Sequence, residues 1–156
     1  MSERPAGEFG LIEWIRARRP KLGPSEGVEG DIGDDCATVR FRDSAAIVTT
    51  DMLMDGRHFV LDRDGPEAAG SKAMGVNISD VAAMCGVPRF AVVAVALPRR
   101  NAEAVGRGLD AGLRLMAGRF GVHLVGGDTN AWDGPLVVSV TLMGDPHPLG
   151  SPSRAG

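Results

Sequence analysis

Apolar positions recur along the chain in two rhythms, and the changes between them lay out the elements. Phe9, Leu11, Ile12 and Ile15 fall close to helical spacing before Pro20 stops the pattern, which predicts a short amphipathic helix over Phe9 to Arg18. Lys21 to Gly33 is rich in glycine, with Pro24 and Ser25 among them, and reads as loop. Ala37 to Phe41 and Ala45 to Thr50 are β-branched and apolar runs split by Arg42-Asp43-Ser44, the pattern of a hairpin that ends at Asp51. Met52 to Gly65 is mixed and predicts irregular or weakly extended chain. Glu67 to Met84 then predicts a long helix with Pro66 in its first turn and Gly86 past its end. Its apolar stripe is Met74, Ile78, Val81 and Cys85, while Asn77 and Asp80, three apart, share another face.

Phe90 to Leu97 is apolar throughout and stopped by Pro98, which predicts a strand buried on both faces. Asn101 to Phe120 predicts a second long helix, capped by Asn101 and closed by Gly121. Val122 to Val125 reads as a short strand, Gly126-Gly127-Asp128-Thr129 as a turn, and Leu136 to Met143 as a last strand before a proline-rich tail from Gly144. The sum is an α+β fold: a mixed sheet of about four strands with two main helices on one face. Two helices cover only one side of a sheet whose strands are apolar on both. The other face is therefore expected to dimerise, since bare apolar sheet of several hundred Å² is an association surface.

Composition narrows the classes. With 156 residues and 44% hydrophobic positions, the chain suits one soluble domain with its own core. Seventeen Lys and Arg against twenty Asp and Glu, with no basic cluster, disfavour nucleic-acid binding. Two cysteines, Cys36 and Cys85, make neither a disulfide framework nor a zinc pattern. No apolar run reaches the roughly 18 residues of a membrane span, and a cytoplasmic location is expected.

The acidic residues stand at telling places. Asp34 and Asp35 precede a strand, Asp51 ends another, Asp80 sits in an otherwise apolar stretch of helix, and Asp128 follows two glycines after a strand. Carboxylates at element ends can converge on one rim, where they repel unless a cation neutralises them; oxygen-only ligation favours Mg²⁺, which completes its shell with water and phosphate oxygens. Asp-Asp and Gly-Gly-Asp-Thr are equally the chemistry of ordinary turns. His58 reads either as a surface histidine or as a ligand, and the residues alone leave both open. No constellation for nucleophilic catalysis and no Gly-x-x-x-x-Gly-Lys-Ser/Thr loop is present.

At these positions the sequence resembles the thiamine-monophosphate kinases, within the ATP-using superfamily that includes aminoimidazole ribonucleotide synthetase. Five blocks carry the resemblance in order: Gly7-Glu-Phe-Gly-Leu-Ile12, Asp31-Ile-Gly-Asp-Asp-Cys-Ala37, Thr49-Thr-Asp-Met-Leu-Met-Asp-Gly-Arg-His-Phe59, Lys72-Ala-Met-Gly-Val-Asn-Ile-Ser-Asp-Val-Ala-Ala-Met84 and Val125-Gly-Gly-Asp-Thr129. The resemblance implies transfer of the ATP γ-phosphoryl group to thiamine monophosphate, with Mg²⁺ bridging the two anions. It implies metal ligation by Asp35, Thr49, Thr50, Asp51, Asp80 and Asp128, nucleotide contact by Gly127, Asp128 and Arg154, and substrate contact by His58. It names no general base, because a phosphate acceptor is already nucleophilic at neutral pH.

The same resemblance makes residues 1–150 an N-terminal ATP- and Mg²⁺-binding domain that forms a homodimer through its sheet, and 151–156 the start of a C-terminal domain. Two other readings stand beside it: a dimerising or nucleotide-binding module without turnover, and a sibling ATP-using synthetase of the superfamily. Thr49-Thr50-Asp51 followed by Gly56-Arg57-His58-Phe59 favours the thiamine branch.

Overall fold

A computed structural model describes residues 28–30, 36–41 and 44–148. The helix predicted over Phe9 to Arg18, and Asp34, Asp35 and Arg154, lie outside the described residues. Six strands make one mixed sheet among those described: β1 (Val28–Gly30), β2 (Ala37–Phe41), β3 (Ser44–Met54), β4 (Val87–Pro98), β5 (His123–Trp132) and β6 (Val137–Asp145), in the order β1-β2-β3-β6-β4-β5. All neighbours pair antiparallel except β4 with β5. The α+β class and mixed sheet agree with the sequence reading, but the sheet is wider than the expected four strands. Of the six, β1 falls in the glycine-rich segment read as loop.

Two strands run further than their local sequence suggested. Ile47, Thr49 and Leu53 of β3 are buried, and the period of two carries the strand through Met54 into the stretch read as irregular. β5 continues straight through Gly126-Gly127-Asp128-Thr129, which is strand and not turn, because β4 offers a parallel partner all the way to Trp132. A register shift between Ala91 and Val92 of β4 leaves Val125 as the extra residue of a bulge.

Helix α1 (Leu61–Ala83) is interrupted at Gly65, whose φ of 77° and ψ of 160° break the first turn from the long segment that Pro66 opens. Helix α2 (Ala102–Arg119) follows a 3₁₀ turn over Arg99–Asn101, and Asn101 occupies the N-cap position without a side-chain capping bond. Both helices lie on one face of the sheet and cross each other closely. A Cβ on Gly70 would come 2.2 Å from the Leu109 carbonyl oxygen, and one on Gly112 1.9 Å from that of Glu67. Ser71 Oγ donates to the Gly112 carbonyl at 3.1 Å across the same contact.

The core lies between helices and sheet: Ile47 and Leu53 of β3, Val138, Val140 and Leu142 of β6, Met74, Ile78 and Val81 of α1, and Leu109 and Leu113 of α2. Cys85, expected on the apolar stripe of α1, is instead exposed just past the helix end. The opposite sheet face has no helix over it. Phe90 and Met52 there are 47% and 57% exposed, and Val92 and Ala96 of β4 share that face. Val93 and Val95, by contrast, point to the helix side, against the core. Among the described residues no helix is long and apolar enough to cross a membrane.

Candidate functional site

The seam between α1 and β3 holds the first group of candidate residues. α1 begins where β3 ends, with the Leu61 amide donating to Asp55 Oδ1 at 2.8 Å, and it ends beside the start of β3, where Gly86 packs on Ile47. The helix therefore returns antiparallel along the strand. Between these two pins, Thr49 Oγ1 donates to Asp80 Oδ2 at 3.0 Å. Thr49, Asp51 and Leu53 share the helix-facing side of β3, as their pairing with Leu142, Val140 and Val138 of β6 requires. The structure thus brings Thr49, Asp51 and Asp80 to one seam.

Asn77 belongs to the same seam. It is fully buried, beside Ala73, Met74 and Val81, so the polar face it shares with Asp80 is turned toward the protein. Its Nδ2 donates to the Ala73 carbonyl at 3.0 Å, while its Oδ1 has no partner. The signal was available: Ala73, Asn77 and Val81 follow each other at intervals of four.

Thr50 and Asp128 lie elsewhere. Thr50 is on the open face of β3, where its Oγ1 meets Thr141 Oγ1 at 3.0 Å. Asp128 pairs across β4 with Ala94, also on the open face, and accepts from Asn130 Nδ2 at 2.7 Å. The cross-strand row Asp51–Val140–Val93–Gly127 puts three strand spacings, about 14 Å, between β3 and β5 at this level. The expectation that Asp51, Asp80 and Asp128 meet on one rim is not met within one chain. No group of three His, Cys, Asp or Glu side chains among the described residues closes into a metal cluster.

His58 sits in the turn between β3 and α1. Its Nδ1 accepts from the Met54 amide at 3.0 Å, and its carbonyl takes a hydrogen bond from Lys72 Nζ. Lys72 and Asp80 are eight residues apart on α1, about 12 Å along its axis, so His58 flanks the Asp80 seam without touching it. Gly127 lines a different feature, a cavity of about 450 Å³ between α2 and the β4–β5 edge, together with Val95, Leu113, Gly126 and Thr129. Asp110 and Arg114, joined at 2.8 Å, stand at its wall, and sequence reasoning had singled out neither. A Cβ on Gly127 would fall 1.9 Å from the Val93 carbonyl oxygen, so only glycine lets β5 approach β4 this closely beside the cavity.

The chain is 37% identical over 139 residues to the thiamine-monophosphate kinase of Bacillus subtilis (strain 168), covering 88% of this chain and 42% of that protein. It is 39% identical over 140 residues to the thiamine-monophosphate kinase of Corynebacterium glutamicum, covering 88% and 40%. The chain thus spans about two fifths of the length of these relatives. Among solved structures, AaThiL complexed with AMPPCP and TMP superposes with a TM-score of 0.76 at 32% identity, over 93% of this chain and 44% of that one. The family model for AIR synthase related protein, N-terminal domain, matches residues 33–145, from just before β2 to the end of β6, and the chain belongs to that family.

Proposed function

We propose that this chain is the N-terminal part of an enzyme that phosphorylates thiamine monophosphate to thiamine diphosphate with ATP. The observation that carries the proposal is the Thr49–Asp80 hydrogen bond, which seats the Thr-Thr-Asp block of β3 against the Asn-Ile-Ser-Asp block of α1. These are two of the blocks that resemble the thiamine-monophosphate kinases, and relatives so named match the chain at 37% and 39% identity.

The donor set suits Mg²⁺. Asp51 and Asp80 offer carboxylate oxygens and Thr49 a hydroxyl, with no imidazole or thiolate at the seam, and two carboxylates with the remainder left to water and phosphate oxygens is how Mg²⁺ is usually held. Asp35 is proposed as a further ligand. When bound, the ion neutralises the charge of the two phosphate groups that must approach one another. The chain's own part is positional. The cavity between α2 and β5, with Gly127 in its wall, is assigned to the ATP base and ribose, and Arg154 is proposed as a further nucleotide contact. His58, held by the Met54 amide, is assigned to the acceptor end.

The open sheet face is assigned to a second copy of the chain. Thr50 and Asp128, both on that face, then lie at the seam of the dimer. Residues 151–156 are assigned to the start of a C-terminal domain that fixes the acceptor, an alignment worth roughly 7–11 kcal/mol in a transfer of this kind.

A coupled assay for thiamine diphosphate tests the reading. The 156-residue chain alone is expected to bind ATP weakly and Mg²⁺-dependently without appreciable turnover. Fused to the C-terminal part of the Bacillus subtilis relative, it is expected to turn over, and Asp80→Asn in the fusion is expected to abolish that activity. Turnover unchanged by Asp80→Asn, or ATP binding indifferent to Mg²⁺, would overturn the assignment.

A further inference from the structure

Asn77 is the one polar side chain among the described residues that is fully buried with an atom left unsatisfied. Which atom that is follows from its neighbour. The Ala73 carbonyl can only accept, so the amide nitrogen must face it, and the atom left over is the oxygen Oδ1. A buried acceptor without a donor is rarely kept, and packing gives no reason for it: Ala73, Met74, Ile78 and Val81 around it on α1 are all apolar. An apolar residue of similar volume would fill the position without the penalty.

The register of α1 on β3 says what lies opposite. The helix is pinned at Asp55, Thr49 and Ile47, in that order from its N-terminus, so moving from Asp80 toward the N-terminus corresponds to moving from Thr49 toward Met54. One turn back from Asp80, three residues and about 4.5 Å, Asn77 lies on the way to the next helix-facing position of β3, Asp51, which is about 6.8 Å beyond Thr49. An ionised carboxylate cannot donate. A carboxamide oxygen that faces carboxylate oxygens needs a donor or a cation between them.

We infer that Asn77 Oδ1 is the neutral oxygen of a divalent-cation site whose charged members are Asp51 and Asp80. The inference rests on the proposed reading that a cation binds at this seam, and adds a residue to it. It accounts for the two ends of the side chain at once: Nδ2 is tied to the Ala73 carbonyl, which fixes the amide, and Oδ1 is left as the acceptor available to an ion. It also accounts for asparagine on a core stripe, because a third carboxylate beside Asp51 and Asp80, and this one buried, would add repulsion before the ion arrives.

The test uses the 156-residue chain, Mn²⁺ as the probe, and electron paramagnetic resonance of the unbound ion as a readout independent of turnover. Four proteins are compared: wild type, Asn77→Leu, Asn77→Asp and Asp51→Asn. Asn77→Leu is expected to lose Mn²⁺ affinity by about 10–100-fold, as loss of an oxygen beside a metal does, while its melting temperature without metal is unchanged or raised. Asn77→Asp is expected to melt lower without metal, and to recover on addition of Mn²⁺ with affinity at or above that of wild type. Should Asn77→Leu fail to fold, the Mn²⁺-dependent recovery of Asn77→Asp still decides the matter. Asn77→Leu binding like wild type while Asp51→Asn does not, or Asn77→Asp gaining nothing from Mn²⁺, overturns the role of Asn77 and leaves the site. Equal and negligible binding by all four overturns the site itself.

Discussion

Two adjacent residues at the end of α1 show how far a residue's type can mislead about its task. Cys85 takes the left-handed conformation, φ 54°, that closes a helix, with its amide donating to the Ala82 carbonyl at 2.9 Å and the Gly86 amide to that of Val81 at 2.9 Å. Gly86, which reads in the sequence as the glycine that ends the helix, is needed for room instead. A Cβ there would stand 2.0 Å from Ile47 Cδ1 and 3.0 Å from the Asp145 carbonyl oxygen. Gly86→Ala is therefore expected to destabilise the chain by about 1–3 kcal/mol, the usual range for forcing extra volume into a packed core. Cys85→Gly is expected to act oppositely, relieving a left-handed strain of roughly 1–2 kcal/mol less the entropy that glycine loses on folding. Urea unfolding followed by circular dichroism measures both, and a Gly86→Ala midpoint equal to wild type would show that Ile47 can move aside. At the end of α2 the simple reading holds: Gly121 itself has φ 67°, and the Val122 amide reaches the Ala117 carbonyl at 2.9 Å.

At the scale of elements, period and punctuation made α1, α2, β2, β4 and β6 legible, because in each of them local pattern and tertiary environment agree. They disagree where an element is extended by its neighbour. Gly126-Gly127-Asp128-Thr129 has the composition of a turn and becomes strand because β4 lies alongside, and a partner 34 positions away in sequence leaves no local mark. The same holds for the site. The Thr49–Asp80 pairing could be inferred only through the family blocks, and the burial of Asn77 only from a stripe that its polarity disguised.

The first turn of α1 falls in the stretch before Pro66 that reads as irregular, and it carries a pH-dependent contribution to stability. Asp64 accepts from the Val60 amide at 2.9 Å and from Arg63 Nε at 2.7 Å. The Arg63 hydrogen bond, more than any other influence, together with the Val60 amide lowers its pKa from 3.8 to about 2. A carboxylate depressed in the folded state contributes stability above its unfolded pKa and loses it as pH falls through the folded one. This contribution is thus complete above about pH 4 and gone below about pH 2. Asp64→Asn is expected to make the melting temperature less steep in pH across that window and to leave it nearly flat with pH at neutrality. An unaltered slope would assign the acid sensitivity to other carboxylates.

For the whole molecule, the decisive feature is the sheet's uncovered side. Phe90, Val92 and Ala96 of β4, Met52 and Met54 of β3, and Val137 of β6 lie on it around Thr50, Thr141 and Ser139 and leave it largely apolar, and soluble chains seldom leave such a surface to water. Its edge is polar in a definite way: the row Met52–Ser139–Ala94–Asp128 runs from the apolar centre to the Asp128 carboxylate. Association by this face would bury the methionines and Phe90 at the middle and keep the acid toward the rim, the usual distribution of apolar core and polar border in an interface. Light scattering of the 156-residue chain at micromolar concentration is therefore expected to give the mass of a dimer. Phe90→Asp combined with Met52→Asp is expected to give a monomer with an unchanged far-ultraviolet circular dichroism spectrum, since both side chains are exposed within the single chain and neither belongs to the buried cluster. Wild-type chain that stays monomeric, or a doubly substituted chain that remains dimeric, would assign the open face to something other than a second copy.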